Sequence, residues 1–343
     1  MSLSLSDLDR FDSHKMHEIY DKWPDIAEKN YRTELGQVNF DNIKHLVFAG
    51  MGGSGALHDI FAAILSKTDV HVSIVKGYHL PSTINSDTLV VTTSVSGNTT
   101  ETLTVLDSSR RSKCKIIAFS SGGKMQDYCS RYKIEHRNIP MYLNPRSSFT
   151  SYLFSMIRVL EPIIPIKKQD VLESINELKK HKKKISSDNL SKDNPALDLA
   201  NWIKDIPIIY YPWGLQAAAV RFKNSLQENA KMHAMIEDII EASHNGIVAW
   251  EKESRIKPIL IRGHDDYIKT KERWNIIKEY FDHKAIEYKE ICSIEGGILA
   301  KIVSLIYLLD YSSIYLSVIS GIDPNPVTAI DFIKNRTSNA NHG

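Results

Sequence analysis

The residues best suited to bind a phosphate lie between positions 88 and 102. Leu89 to Val91 form a short apolar, mostly β-branched run, which is typical of a buried parallel strand, and Gly97-Asn98 ends it. A threonine of the Thr99-Thr100 pair can cap a following helix, whose N-terminus offers unpaired N–H groups and a partial positive charge. Free amides and short hydroxyls predict a cradle for a phosphate monoester, with the hydroxyls supplied by Ser94, Ser96, Thr99 and Thr100. An ordinary polar turn is the alternative, because turns are rich in the same residues.

A glycine-rich turn, Gly50-Met51-Gly52-Gly53-Ser54-Gly55, follows an earlier buried strand that begins at His45. Its glycine register differs from the dinucleotide-binding fingerprint, and the hydroxyl-rich turn lacks the lysine of a nucleotide P-loop. The glycine turn allows the backbone near Gly53 to approach a ligand closely and adds the hydroxyl of Ser54. A tight strand-to-helix turn without a ligand is the alternative here.

Three residues further along the chain are suited to acid–base chemistry: Arg146, Glu228 and His244. Interconversion of an aldose and a ketose needs a carboxylate that moves a proton between adjacent carbons. It also needs a group that opens the sugar ring and a cation that stabilises the enediolate. Glu228 fits the first role, His244 the second and Arg146 the third. Each also has an ordinary interpretation, as a surface salt-bridge partner, a structural histidine or a solvated loop arginine.

The elements that position these groups alternate between strands and helices. In the first half, strands are predicted from His45 and over 70–75, 89–93, 115–120 and 137–141, with helices near 55–66, 101–110, 122–131 and 149–160. This alternation predicts an α/β fold with a doubly wound parallel sheet. Ligands bind such sheets beyond the carboxyl ends of the strands. The two turns described above follow strand ends, so we expect them to face one crevice.

The second half of the chain repeats this plan. Strands are predicted from Ile206, over 257–262 and over 285–290, with helices over 215–230, from the turn after His264 through Tyr280, and over 298–319. Its turns lack the serine and threonine cluster, so we infer two similar domains of which only the first has the phosphate cradle. The predicted division is 1–155 for an N-terminal helix and the first domain, 156–195 for a helical linker, 196–320 for the second domain and 321–343 for a C-terminal segment. Within it, 172–184 is predicted to be a solvated surface helix and about 335–343 to be disordered.

Composition narrows the functional class. The 343 residues are 42% hydrophobic and 24% charged, with a net charge of +2, which favours neither a nucleic-acid nor a membrane partner. The lysine-rich run Lys179–Lys184 has no interleaved aromatic residues, so it is a weak nucleic-acid signal. Cys114, Cys129 and Cys292 are few and scattered, which favours a reducing cytoplasm and no structural metal. The first residues lack the basic and apolar regions of a signal peptide.

Taken in order, the motifs resemble those of the archaeal-type bifunctional phosphoglucose/phosphomannose isomerases, which contain tandem sugar isomerase (SIS) domains of flavodoxin-like fold. The resemblance covers about residues 40 to 335. The matching motifs are Gly50-Met-Gly-Gly-Ser-Gly55, Ser94-Val-Ser-Gly-Asn-Thr99 with Glu101-Thr102, Pro145-Arg146, Glu228-Asn229 and His244-Asn245.

The resemblance implies a role for each candidate residue. Glu228 moves the proton between C1 and C2, Arg146 stabilises the cis-enediolate, and His244 takes part in ring opening from the partner subunit of a homodimer. Lys334, near the C-terminus, completes the site, and Thr328 leaves room for the rotation that admits mannose phosphate. The sugar phosphate is held by Gly53, Ser54, Ser94, Ser96 and Thr99. The resemblance implies sugar 6-phosphate substrates and no metal or other cofactor.

Two further classes remain open at this point. Another SIS-type enzyme, such as an aminating relative, would share the cradle, but the glutaminase domain of glucosamine 6-phosphate synthases is absent from this sequence. A non-catalytic sugar-phosphate sensor would also share the cradle, but it would not need Glu228 and His244, and no DNA-binding pattern is visible.

Overall fold

The structure is a computed structural model in which residues 3–340 are described. Three helices precede the first sheet: α1 (Leu5–Phe11), α2 (Met16–Asp21) and α3 (Trp23–Arg32). Pro24 stands in the first turn of α3, where the missing N–H of proline costs no helical hydrogen bond. The N-terminal helix predicted within 1–155 is thus three shorter helices, and their apolar residues pack into the main core.

The first sheet has five parallel strands in the order β2-β1-β3-β4-β5. Its strands are β1 (His45–Ala49), β2 (His71–Val75), β3 (Thr88–Ser94), β4 (Lys115–Ser120) and β5 (Glu135–Asn138). The helices of this half are α4 (Gly52–Leu65), α5 (Thr100–Arg110), α6 (Gly123–Tyr132) and α7 (Phe149–Leu160). Alternate residues of a strand face opposite sides of the sheet. Val47 and Val90 accordingly pack with Val105 of α5, whereas Phe48 and Val91 belong to the main core.

The second sheet has four parallel strands in the order β7-β6-β8-β9, which is the order of the first sheet without its fifth strand. Its strands are β6 (Pro207–Tyr211), β7 (Met235–Asp238), β8 (Lys257–Arg262) and β9 (Lys289–Cys292). The helices of this half are α10 (Gln216–Glu228), α11 (Ile239–Ala242), α12 (Ile268–His283) and α13 (Ile298–Ile319). Both sheets have the flavodoxin-like order, so the predicted α/β class with two tandem parallel sheets is confirmed.

Two helices, α8 (Lys168–Ile185) and α9 (Pro195–Trp202), connect the halves, and α14 (Thr328–Ala340) ends the described chain. The prediction of a solvated surface helix over 172–184 is wrong. Val171, Ile175, Leu178 and Ile185 recur at helical spacing and are buried, and α8 packs on α13. Core residues of both sheets form one continuous cluster. The predicted domain boundaries at 155, 195 and 320 stay a prediction.

Three strand predictions differ from the structure. β5 occupies 135–138 rather than 137–141, and β9 occupies 289–292 rather than 285–290. Ala285 has a φ of +54°, a left-handed conformation that belongs to a turn and not to a strand. β7 was not predicted, because Met235-Ile-Glu-Asp is short and half polar. It lies at the edge of its sheet and pairs with a neighbouring strand on one side only.

Two features near the C-terminus also bear on the predictions. Helix α13 is long and apolar enough to cross a membrane, but 94% of its most apolar window is buried inside the protein. It is therefore the central core helix of the second half.

The predicted disorder from residue 335 is wrong as far as residue 340, because α14 continues to Ala340. Residues 341–343 lie outside the described part of the chain.

Candidate active site

Two turns meet where the strand order of the first sheet reverses. β1 and β3 are parallel neighbours, so the turns that lead into α4 and α5 leave the same edge of the sheet. Gly97 in the second turn has a φ of +70°, and a Cβ there would collide with the carbonyl oxygen of Gly122. Only glycine fits both this conformation and this close approach. Parallel sheets bind ligands at such a switch point.

The hydroxyls of the predicted phosphate cradle lie in these two turns. The hydroxyl oxygens of Ser94 and Thr99 are 2.8 Å apart. Ser54 accepts a hydrogen bond of 3.4 Å from the backbone N–H of Val95, which connects the first turn to the second. Ser96 accepts a bond of 3.3 Å from the N–H of Asn98 and so stabilises its own turn. The structure thus brings all four hydroxyls into adjoining turns.

The expectation that Thr99 or Thr100 caps α5 is wrong. Thr99 stands at the N-cap position, but its side chain makes no capping hydrogen bond, because its hydroxyl is turned toward Ser94. Met51 holds the same position before α4, and it also provides no side-chain cap. The first N–H groups of both helices thus lack a capping side chain, and this is the arrangement that binds anions.

An ion pair between Arg146 and Glu228 joins the two halves of the chain. Arg146 lies in the turn before α7, Glu228 is the last residue of α10, and Nη1 donates to Oε2 over 2.7 Å. The side chain of Arg146 is buried, whereas that of Glu228 is 23% exposed to solvent. The Nε of Arg146 is buried and makes no hydrogen bond within the described residues. An unmet buried donor is costly, and a ligand oxygen would satisfy it.

The segment after α13 holds the other side of the Arg146 guanidinium. Nη2 donates to the carbonyl oxygens of Pro324 and Asn325 over 3.1 and 3.0 Å. The side-chain oxygen of Asn325 accepts a bond of 2.9 Å from Asn144, two residues before Arg146. The C-terminal segment is therefore fixed against the loop that carries Arg146.

Lys231 is a second cation beside Glu228. Its Nζ donates to the main-chain oxygen of Glu228 over 2.6 Å and to that of Pro324 over 3.3 Å. Partial burial, and then repulsion by Arg146, lower the pKa of Lys231, while Asp323 and Glu228 oppose the shift. Arg146 thus binds the carboxylate of Glu228, and Lys231 binds its main-chain oxygen.

A cavity of about 390 Å³ opens beside Glu228. Gly52 lines it from the glycine turn, Lys231 and Glu228 from the end of α10, and Thr328 from the start of α14. The cavity therefore combines groups from the first sheet, the second half and the C-terminal helix. Its size is of the order of a small-molecule site, about 300–1,000 Å³. Between residues 3 and 340, no group of three or more histidine, cysteine or acidic side chains is placed to hold a metal ion.

Comparison with known proteins identifies the family. Residues 192–337 match the model of the bacterial phospho-glucose isomerase C-terminal SIS domain. A bifunctional phosphoglucose/phosphomannose isomerase of Caldicellulosiruptor bescii is 31% identical over 94% of this chain and 98% of its own. The chain belongs to the bifunctional phosphoglucose/phosphomannose isomerase family.

Other comparisons show how widely the fold is shared. A D-glucosamine-6-phosphate 4-epimerase of Sulfolobus acidocaldarius is 26% identical over 72% of this chain and 77% of its own. A hypothetical protein of Thermus thermophilus has the same fold, with a TM-score of 0.74 at 13% identity over 99% of this chain and 94% of that one. Proteins with names other than phosphoglucose/phosphomannose isomerase thus also resemble this chain, so a specific activity must be argued from the site.

The isomerase resemblance also assigns His244 to the site, but in the structure it neither contacts the Arg146–Glu228 pair nor lines the cavity. His244 follows α11 at the carboxyl end of β7 and is exposed. Its side chain makes no hydrogen bond to any residue that the structure describes. Ile240 and Val248, four residues to either side, are also exposed, at 39% and 56%. An exposed histidine among exposed apolar residues is compatible with a second subunit that covers this surface.

Thr328 and Lys334 differ in their relation to the cavity. Thr328 lines the cavity together with Glu228. Lys334 lies six residues later on α14 and is exposed. At about 100° per residue, six positions place the two side chains on different faces of the helix.

Sequence reasoning missed Lys231, Asn144 and the Arg221–Asp310 pair behind Arg146. One signal was available, because Arg221 precedes Glu228 by seven positions and therefore lies on the same face of α10. Asp310 was a second signal, since an acidic residue inside the apolar stretch of α13 requires a partner. Asn144 and Lys231 offered no comparable signal, because their contacts depend on the path of the C-terminal segment.

Proposed function

We propose that this protein interconverts glucose 6-phosphate and mannose 6-phosphate with fructose 6-phosphate through a cis-enediolate, without a metal. The observation that carries the proposal is the Arg146–Glu228 ion pair, whose glutamate lines a cavity together with Gly52 and Thr328. A ligand in this cavity would meet the carboxylate of Glu228, and the Arg146 cation paired with that carboxylate would stabilise an enediolate beside it. The isomerase names of the relatives support the same reaction.

The chemistry follows from the two side chains. Glu228 accepts the C2 proton of the aldose and returns it to C1, and the electron pair of the broken C–H bond forms the enediolate. Negative charge then develops on the enediolate oxygens, and the Arg146 guanidinium donates to them. The buried Nε of Arg146, which has no protein acceptor among residues 3–340, supports this role.

The phosphate is proposed to bind between the two turns of the first sheet. Ser54, Ser94, Ser96 and Thr99 would supply hydroxyls, and the glycine turn at Gly53 would supply backbone N–H groups. The uncapped N-termini of α4 and α5 support this assignment, because they favour an anion.

The remaining roles are also proposals. Lys334 would contact the substrate from α14, and Thr328 would leave room for the mannose epimer. His244 would open the sugar ring from the partner subunit of a homodimer, which its exposure and its absence from the lining of the cavity support. We propose a cytoplasmic enzyme that acts on sugar 6-phosphates and has no nucleic-acid or membrane partner.

The decisive experiment incubates purified, chelator-treated protein with fructose 6-phosphate and follows glucose 6-phosphate and mannose 6-phosphate separately. Formation of both products is expected. Formation of glucose 6-phosphate alone would remove the mannose activity and with it the role of Thr328.

Two further assays test whether the protein is instead another SIS-type enzyme or a non-catalytic sensor. Glucosamine 6-phosphate is offered as substrate, since one relative is a 4-epimerase of that sugar, and ammonia is added to fructose 6-phosphate to detect amination. Turnover in either assay without isomerase activity would replace the proposal. Binding of fructose 6-phosphate without turnover would favour a sensor.

A further inference from the structure

A buried ion pair lies directly behind the Arg146–Glu228 pair. Arg221 of α10 and Asp310 of α13 have side chains that are 3% and 0% exposed. Nε and Nη2 of Arg221 donate to Oδ2 of Asp310 over 3.0 and 2.7 Å. Asp310 also accepts bonds from Ser225 and Tyr20, over 2.6 and 3.2 Å. Burial opposes the charge of Arg221, but the attraction of Asp310 outweighs it and raises the pKa of Arg221 above its ordinary value.

The Arg221 guanidinium also binds the loop of Arg146 and lies near the glycine turn. Nη2 donates to the main-chain oxygen of Arg146 over 2.8 Å. Nη1 makes no hydrogen bond within the described chain and lies 3.8 Å from the position that a Cβ on Gly53 would occupy. Arg221 thus joins the helix of the base to the loop of Arg146.

We infer that Arg221 is a positioning residue that fixes Arg146 relative to Glu228, an inference that rests on the proposed isomerase function. Ion pairs of this kind are often replaced by apolar residues without loss of stability. An apolar residue, however, could not donate to the Arg146 carbonyl. Nη2 of arginine donates to this carbonyl and to Asp310 while Nε also donates to Asp310, whereas the Nζ of a lysine ends one bond nearer the main chain and has no second nitrogen beside it.

The first test is Arg221→Lys, assayed with fructose 6-phosphate. Lysine keeps the charge beside Asp310, but its Nζ ends one bond short of the Nη2 position, so we expect the bond to the Arg146 carbonyl to be lost. We expect kcat to fall by about 20-fold or more and KM to change by less than about threefold, since the proposed phosphate hydroxyls are not touched. Arg262→Lys is the matched control, because Arg262 is also paired with a carboxylate, Glu290, in the second sheet. Its kcat should stay within about twofold of the wild type.

The second test is a double-mutant cycle with Arg146→Met. If Arg221 acts through Arg146, the change Arg221→Lys should lower kcat by less than about threefold in the Arg146→Met background. A residue with only a structural role would reduce kcat by the same factor in both backgrounds. Equal factors would overturn the inference.

A second variant tests the inference if Arg221→Lys does not fold well. Arg221→Met with Asp310→Asn removes both charges, and the asparagine oxygen still accepts from Ser225. Loss of kcat in this folded variant is expected, and kcat within threefold of the wild type would overturn the inference. Absence of turnover in the wild type would instead defeat the proposed function, so the two failures are distinguishable.

Discussion

Arg146 and Glu228 are 82 positions apart, yet Nη1 of the arginine and Oε2 of the glutamate are separated by 2.7 Å. One belongs to a loop that follows the first sheet, and the other ends a helix that follows the first strand of the second sheet. Their contact therefore requires both halves of the chain to fold and pack together. Because α4 and α10 pack on each other, the glycine turn at the start of α4 lies at the same junction.

Replacement of Glu228 by glutamine should lower kcat for fructose 6-phosphate by at least about 10²-fold, because an amide cannot accept the carbon-bound proton. Substrate affinity should change little, since the proposed phosphate contacts lie in other turns. Steady-state kinetics and calorimetric titration with fructose 6-phosphate provide the two measurements. Glu272→Gln, on the exposed face of α12, is the control and should be fully active. Full activity of the Glu228 variant would show that another group is the base.

Whether a part of this site can be predicted from the sequence depends on how far apart the residues in contact lie along the chain. The hydroxyl-rich and glycine-rich turns follow from local signals, namely short apolar runs that are followed by glycine, and the structure has both. The partners of Arg146 depend on contacts with residues 228 and 324–325, so no local pattern could reveal them. Helix α8 is a different case, because the signal was local and was overlooked. Its apolar stripe is present in the sequence, but its many lysines led to the prediction of a solvated helix.

Replacement of Gly97 by alanine should destabilise the protein and remove phosphate binding. The residue has a φ of +70°, and a Cβ would collide with the carbonyl of Gly122. The turn of Gly97 would therefore have to move away from the turn of Gly122, which follows β4. We expect a loss of about 2–4 kcal/mol in the free energy of unfolding, as for other strained backbone positions. Chemical denaturation measures the loss. Gly77→Ala is the control, because no atom lies within 4 Å of the added Cβ and its φ is ordinary. An equal effect at both glycines would contradict the explanation.

Acid should destabilise the protein through His58, which is buried in α4 below the glycine turn. Burial, and then the charge of Lys76, lower the pKa of His58 from 6.5 to about 3. Between those values the unfolded chain binds a proton that the folded protein does not, so the free energy of unfolding falls as the pH falls. The loss from this group between pH 7 and pH 5 should be about 2 kcal/mol.

Denaturation at several pH values tests this against His58→Gln, which cannot titrate. The variant should lose the part of the pH dependence that His58 contributes, although its stability at pH 7 is also expected to be lower. His264→Gln, at an exposed position, should keep the wild-type slope. Identical slopes for wild type and His58→Gln would show that His58 titrates normally in the folded protein.

Mixing two inactive variants should restore activity if His244 crosses a dimer interface. A heterodimer of Glu228→Gln and His244→Ala subunits would contain one site with both defects and one site with neither. Random assembly makes half of the dimers heterodimers, so co-refolded subunits should reach about a quarter of the wild-type activity. Turnover of fructose 6-phosphate is measured after gel filtration has established the oligomeric state. The two variants refolded separately and then combined without exchange are the control. If each site draws both residues from one chain, the co-refolded mixture will be no more active than its components, and His244 would then have to reach Glu228 by a movement within its own subunit.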